Sequence, residues 1–298
     1  MNFKYNKLNI LITGASGMLG STLASYLRDR FNIYGTGNSN FKNTNFNYKK
    51  FDLSTDNYKK LIEWSQPNLI IHCAALTDGD YCQNNPWEAL NVNGYSVKKL
   101  MDASEDCVKI IYISTDAVFP SELHMAKEFD SICPENVYGK SKELGEFFLL
   151  NSNRDYLILR TTIVGLNVTR DKKGFVEWIV NSVKARETIS LFDDVLFTPI
   201  SIWHFIEEIN FLINLNLYDS RVLHIAGAEI ITKHEFGVTL IKKLALNSEY
   251  LKKGNLSEIN HRAKRSNDQT LDSSNYQRKF NRKLPKLKDT IYSITNNL

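Results

Sequence analysis

The chain has 298 residues, 43% of them hydrophobic, enough to bury a large core as one lobed domain or two modest ones. Mean hydropathy is −0.31, and no apolar run approaches the roughly 20 residues of a membrane span. The first apolar strand follows the N-terminus too closely for a signal peptide, so a cytoplasmic protein without a membrane partner is expected. Net charge is +4 but unevenly placed: residues 249–298 carry 11 Lys+Arg against 5 Asp+Glu, and residues 1–248 carry 26 against 28. Those C-terminal cations are scattered among apolar residues without interleaved aromatics, which argues against nucleic acid. They read as a solvated face or as a few side chains reaching a diphosphate, with Arg262 and Lys264 foremost. Four cysteines (Cys73, Cys82, Cys107, Cys133) show no metal-ligand spacing, so no metal is expected; Cys73 reads as a core thiol within a strand.

In chain order, residues 8–13 form an apolar, β-branched run typical of a buried parallel strand. The turn Gly14-Ala-Ser16-Gly17-Met18-Leu19-Gly20 follows, and then a helical pattern through Leu23, Tyr26 and Leu27. Strand, glycine turn and helix form the context of a dinucleotide fingerprint, in which backbone amides and the helix N-terminus meet a pyrophosphate. After a second strand at 32–36, Gly35-Thr-Gly-Asn38-Ser39-Asn-Phe-Lys42 contains no acid. NAD sites usually place Asp or Glu there for the ribose, whereas a cation suits a 2′-phosphate. NADP(H) is therefore favoured, with NAD(H) possible if Lys42 is merely solvated.

Helices are expected over 55–65, 86–105 and 138–151, with strands over 68–73, 108–114 and 155–161. This alternation predicts an α/β fold, a doubly wound parallel sheet of Rossmann type. Residues 1–165 would form the dinucleotide-binding domain, and 166–298 a smaller substrate lobe partly interleaved with the sheet. The later pattern predicts a helix near 174–186, strand-like 188–191 and 195–200, a helix from Trp203, a strand at 221–226 and a helix around Leu240 and Leu244.

Within this framework Ile110-Ile-Tyr-Ile-Ser114-Thr115-Asp116 ends a strand in hydroxyls at the ligand-binding edge. Tyr138 and Lys142 lie four residues apart, one helical turn on one face. A neighbouring ammonium would lower the phenol pKa toward working pH. Thr115 would then hydrogen-bond a substrate oxygen, Tyr138 would move the proton, and Lys142 would hold the nicotinamide ribose.

Together these motifs resemble the extended branch of the short-chain dehydrogenase/reductase superfamily, most closely the dTDP-4-dehydrorhamnose reductase family. The resemblance runs through Asp52-Leu53, where that family contacts adenine, and His72-Cys73-Ala74-Ala75-Leu76-Thr77-Asp78-Gly-Asp80. It continues in Asn91-Val-Asn93-Gly94, Ser114-Thr-Asp-Ala-Val-Phe119, Arg160-Thr-Thr162, and Arg262 to Asp272, the last resembling R-P-x-x-S-x-L-D. It implies a keto reduction on a nucleotide-diphosphate deoxysugar for surface polysaccharide precursors, and a possible homodimer through helices near 86–105 and 138–151. It places Gly14, Ser16, Gly17, Met18, Leu19, Asp52, Leu53, Cys73, Ala74, Ala75, Thr77 and Asn93 at the cofactor. Asp78, Asp116, Phe119, Thr162 and Arg262 fall at the substrate.

Departures from the pattern include Ala117 for a Tyr, Pro120-Ser-Glu122 for a glycine turn, Ala263 for the Pro after Arg262, and Ile163-Val-Gly165 for W-V-Y/F-G. They point away from the rhamnose precursor itself. Ala117 cannot exchange protons, which disfavours a dehydratase. A nucleotide-sugar epimerase remains an alternative, as does a non-catalytic regulatory subunit like that of methionine adenosyltransferase, which resembles the same family.

Overall fold

The computed structural model describes residues 7–41, 45–168, 174–215, 222–258 and 263–298. The first half alternates strand and helix: β1 (Asn9–Thr13), α1 (Met18–Leu27), β2 (Asn32–Gly37), β3 (Asn47–Lys50), α2 (Tyr58–Ser65) and β4 (Leu69–His72). There follow α3 (Gly79–Asn84), α4 (Pro86–Ala89), a π-helical turn over Leu90–Tyr95, α5 (Ser96–Ala103), β5 (Lys109–Thr115), α6 (Val137–Leu150) and β6 (Tyr156–Thr161). The second half has shorter pieces: β7 (Ile163–Val164), α7 (Phe175–Lys184), β8 (Ile189–Phe192), β9 (Leu196–Phe197), β10 (Ile200–Ser201), α8 (Ile202–Leu215) and β11 (Val222–His224). Last come β12 (Ile231–Thr232), α9 (Lys233–Lys243), β13 (Leu251–Gly254), β14 (Asp268–Gln269), α10 (Ser274–Phe280) and α11 (Leu287–Thr295).

Seven strands form a parallel sheet in the order β11-β6-β5-β4-β1-β2-β3. The order turns between β1 and β4, which opens a crevice at their carboxyl ends for a ligand. The central strands are apolar on both faces because both are covered. Ile10, Ile12, Ile111 and Leu157 pack with Leu23 of α1 and Phe205 and Ile209 of α8. On the other face Leu11, Ile70, Ile110 and Ile158 pack with Leu61 of α2, Leu100 of α5 and Leu149 of α6. A separate core joins α7, α9 and α11 through Ile179, Phe236, Leu240 and Ile291.

The elements expected for the first half are present with ends shifted by a few residues. β4 stops at His72, so Cys73 lies in the loop beyond the strand rather than within it. The expected helix 86–105 is broken by the π-helical turn, which carries Asn93 and Gly94. The segment beyond 165 returns to the sheet: α8 packs on α1, and β11 pairs with β6.

Candidate active site

The glycine turn is built as its residue types require. Gly14 adopts φ +71°, a left-handed conformation that L side chains rarely take, and a Cβ there would stand 2.7 Å from the Ala74 backbone. Gly20 lets α1 lie on the turn, since its Cβ would meet the Gly14 carbonyl at 2.3 Å. Gly17 caps α1 without any side-chain hydrogen bond, so the positive helix end over Met18 and Leu19 faces the crevice uncapped. Ser16 sits beside Gly37 at the end of β2, where a Cβ would strike its hydroxyl at 2.5 Å. Past β2, the Tyr48 hydroxyl donates to the Ser39 carbonyl at 2.7 Å. Tyr48 was not anticipated from the sequence; it closes the Asn38-Ser39 corner from β3. Lys42 lies outside the described residues.

Asp52 is engaged locally, accepting from the Ser54 amide and hydroxyl at 2.8 and 2.6 Å, and Leu53 is buried. The loop 73–77 crosses the crevice. Burial pushes the Cys73 thiol up to about 12, so it stays protonated. Asn93 is fully buried and spends its amide inside the protein: Oδ1 accepts from the Leu76 amide at 2.7 Å, and Nδ2 donates to the Leu76 carbonyl at 2.9 Å and Ser141 Oγ at 2.8 Å. Its side chain braces the loop and ties it to α6, and is not free for a cofactor.

Thr115 ends β5, while Tyr138 and Lys142 lie in the first turns of α6, whose N-cap is Asn136. The Thr115 hydroxyl donates to Asp116 Oδ1 at 3.0 Å and lies close enough to the phenol to bond it. One expectation fails here. Burial raises the Tyr138 phenol well above its usual range; Thr115 pulls it back, and Asp116 raises it further. Lys142 does not offset this, because its Nζ stands 4.0 Å over the Tyr112 ring and makes no hydrogen bond to the phenol among the described residues. Buried itself, Lys142 is lowered to about 7, with Glu146 as the main group holding its charge up. Tyr138 is thus a neutral phenol carrying a proton.

The cleft beside these residues has a volume of about 870 Å³. Asp78, Asp116 and Phe119, expected at the substrate, line it together with Thr115, Tyr138 and Thr77, the last expected at the cofactor, and with Phe175, Trp178, Phe192, Glu135, Lys233 and Arg265 besides. Asp78 also caps α3, accepting from the Asp80 and Tyr81 amides at 3.0 Å each. Thr162 is turned inward and donates to the Thr198 carbonyl, so its hydroxyl is spent. Burial raises the Asp116 carboxyl, against Lys233 and Thr115, which lower it.

The basic residues need correction. Arg262 lies outside the described residues. Lys264 is turned to the surface, with its Nζ 2.5 Å from Glu135 Oε1. Arg265 lines the cleft, 3.7 Å from Asp80 Oδ2. The spacing of R-P-x-x-S-x-L-D agrees, since it puts Arg seven residues before Asp, and Arg265 stands seven before Asp272.

Residues 8–298 match the family model described as the RmlD substrate binding domain. The chain belongs to this family. It is 29% identical over 292 residues to a probable low-salt glycan biosynthesis reductase of Haloferax volcanii, covering 95% of this chain and 96% of that protein. The structure of dTDP-4-dehydrorhamnose reductase from Bacillus anthracis in complex with NADP superposes with a TM-score of 0.87 at 25% identity, covering 98% of this chain and all of that one. A partial match is to methionine adenosyltransferase 2 subunit beta of Bos taurus, 30% identical over 185 residues, or 59% of this chain and 52% of that protein.

Proposed function

We infer that the protein is an NAD(P)-dependent reductase of a keto group on a nucleotide-diphosphate sugar, serving glycan precursor synthesis. The observation that carries this reading is the convergence of Thr115, Tyr138 and a large cleft of mixed polar and aromatic lining on the carboxyl edge, beside an uncapped glycine turn.

The residues present fit a dinucleotide. Gly14 and Gly17 leave a cradle that side chains would fill, and the α1 N-terminus supplies unpaired amides for a pyrophosphate. A buried hydroxyl at the same strand edge, Thr161 Oγ1, in register with Thr115, has no hydrogen-bond partner among the described residues. NADPH is favoured over NADH because the Gly37-Asn38-Ser39 corner presents no carboxylate to repel a 2′-phosphate. When bound, the nicotinamide supplies a hydride.

The chain's own residues do the rest. Thr115, turning its one hydroxyl proton from Asp116, donates a hydrogen bond to the carbonyl oxygen and fixes it beside the phenol. Tyr138, neutral because burial raises its pKa, gives its proton to the oxygen as negative charge develops there. Lys142, held over the Tyr112 ring and lowered to about 7 by burial, supplies a donor for the ribose. Phe175, Trp178 and Phe192 offer ring faces to the base and sugar, and Arg265 offers a fork to the diphosphate. The sugar differs from the rhamnose precursor, since Ala117 leaves space where the family carries Tyr.

A 4-keto nucleotide sugar offered with NADPH should give oxidation followed at 340 nm; no oxidation and no binding of any such sugar would reject the reading. In that event the similarity to the methionine adenosyltransferase beta subunit would favour a regulatory role. A cytoplasmic location and a homodimer complete the proposal. Trp87, Phe147 and Leu150 leave 67%, 55% and 46% of their surfaces exposed on the two expected helices. Trp87→Glu should therefore give a monomer by light scattering, and a parent that is itself monomeric would remove the dimer.

A further inference from the structure

Lys233 stands where three effects oppose its charge. It opens α9 directly after the N-cap Thr232, at the positive end of the helix. It is half-buried, and desolvation lowers its ammonium to about 8. Arg265, on the same cleft, adds a second positive charge. In its favour stand the Asp116 carboxylate, which acts on it electrostatically without coming within ion-pair distance, and two aromatic faces. Its Nζ lies 3.4 Å from the centre of the Phe197 ring and 5.8 Å from that of Phe175. Among the described residues it makes no hydrogen bond or ion pair. The aromatic faces hold the ammonium on the cleft wall by cation–π attraction and leave its donors unused. An unpaired, partly desolvated cation adds little to stability, yet it is pre-organised for an anion arriving with a ligand. Its electrostatic partner Asp116 follows Thr115 directly in the chain, so the ammonium acts at the sugar half of the cleft.

We propose that Lys233 is a specificity-determining residue that binds an anionic oxygen at the sugar end of the substrate, either the sugar-linked phosphate or a carboxylate on the ring. This rests on the reductase reading above and goes beyond it by requiring negative charge at a defined wall of the cleft. Arg265 already carries an ion-pair partner in Asp80, whereas Lys233 has none among the described residues, so a substrate anion meets the freer cation here.

The test uses the full chain saturated with NADP⁺, as parent, Lys233→Met and Lys233→Arg. Calorimetry would compare dTDP, dTDP-glucose and dTDP-glucuronate, with the UDP series alongside. Lys233→Met should weaken the relevant probe by about 10- to 100-fold, the size of one charge-assisted contact, while Lys233→Arg retains most of the affinity. Loss that includes dTDP-glucose assigns the phosphate; loss confined to the glucuronate assigns a ring carboxylate. Unchanged affinity for every probe, or equal loss in the Arg and Met variants, overturns the proposal. NADP⁺ affinity, measured in the same variants, should stay within about twofold of the parent, which separates lost substrate binding from a damaged fold. The keto-sugar oxidation assay on the parent reports the reductase reading separately, since the nucleotide probes read binding without turnover.

Discussion

Glu146→Gln is the perturbation whose effect the structure sizes most directly. Glu146 is fully buried on α6, one turn beyond Lys142. Its carboxylate takes Arg160 Nε at 3.0 Å, Arg160 Nη2 at 2.7 Å and Ser114 Oγ at 2.5 Å. Arg160 is itself 3% exposed, and it also reaches the Glu128 carbonyl at 3.3 Å, His224 Nε2 at 3.4 Å and the Phe119 ring, 4.9 Å from its centroid. Burial, with Arg160 adding to it, lowers His224 to about 3, so that imidazole is neutral and brings no charge of its own. The amide would keep the shape and an acceptor for Ser114, yet leave a buried guanidinium without its carboxylate. Breaking such a pair from one side costs about 3–5 kcal/mol. Unfolding entropy of about 2.1 cal/mol/K per residue makes 1 kcal/mol worth roughly 1.6 °C in a chain of this length, so Tm should fall by about 5–8 °C. Urea melts followed by fluorescence, together with scanning calorimetry, measure it. The double change Glu146→Leu with Arg160→Met removes both charges and should recover most of the loss. A Glu146→Gln protein within about 0.5 kcal/mol of the parent would refute the argument. A second readout follows from Lys142, whose charge Glu146 supports. Without that support its pKa drops below about 7, and affinity for NADPH should fall away at a lower pH than in the parent.

Tyr138→Phe keeps the ring but removes the proton, so NADPH affinity by fluorescence titration should hold while kcat drops by about 100-fold or more; near-normal turnover would exclude Tyr138 as donor. Gly14→Ala forces a Cβ to 2.7 Å from the Ala74 backbone at φ +71°. It should lose at least about 1–3 kcal/mol of stability and most of the Tm gain on adding NADP⁺; a parent-like thermal shift would show that the turn does not carry the pyrophosphate. Lys142 sits near 7 when folded against 10.5 ordinarily, so between these values the unfolded chain binds the extra proton. Stability of the cofactor-free protein should therefore rise with pH across that window and level off below about 7. Lys142→Met should flatten the rise, and an unchanged slope in melts at pH 7 to 9.5 would mean that Lys142 is solvated and charged.

The first half of this chain is readable because its signals are local and mutually consistent. β4, with all four residues buried, follows from an apolar run of strand length. The Gly14 turn follows from a glycine pattern between strand and helix, and Tyr138 and Lys142 share a face because the helix repeat puts them there. Less was readable where one position serves two elements. Asn93 looks like a ligand-facing amide, but the π-helical turn aims it at Leu76 and Ser141, and nothing in six residues of sequence announces that turn. The expected effect of Lys142 on Tyr138 failed for a related reason. Spacing placed both on one turn, but the choice of partner was made by Tyr112, whose ring arrives from β5 and takes the ammonium.

The cations of the cleft mark the outer limit of such reading, and the reason is topological. Lys233 sits in Thr232-Lys-His-Glu235, which by itself spells a capping box opening a helix, and the structure forms that box. Its charge acquires meaning only from Phe197, 36 residues earlier, and Asp116, 117 residues earlier, which the lobe folds against it. Arg265 likewise differs from Lys264 by one position, yet one lines the cleft while the other lies mostly exposed and pairs with Glu135. In an irregular segment there is no period to say which side chain points inward. Chemistry common to a fold is therefore written in contiguous motifs on the sheet edge. The features that choose a substrate are written in pairs of distant residues brought together by the lobe, as Lys233 is with Phe197 and Asp116, and a change at Lys233 removes neither Thr115 nor Tyr138.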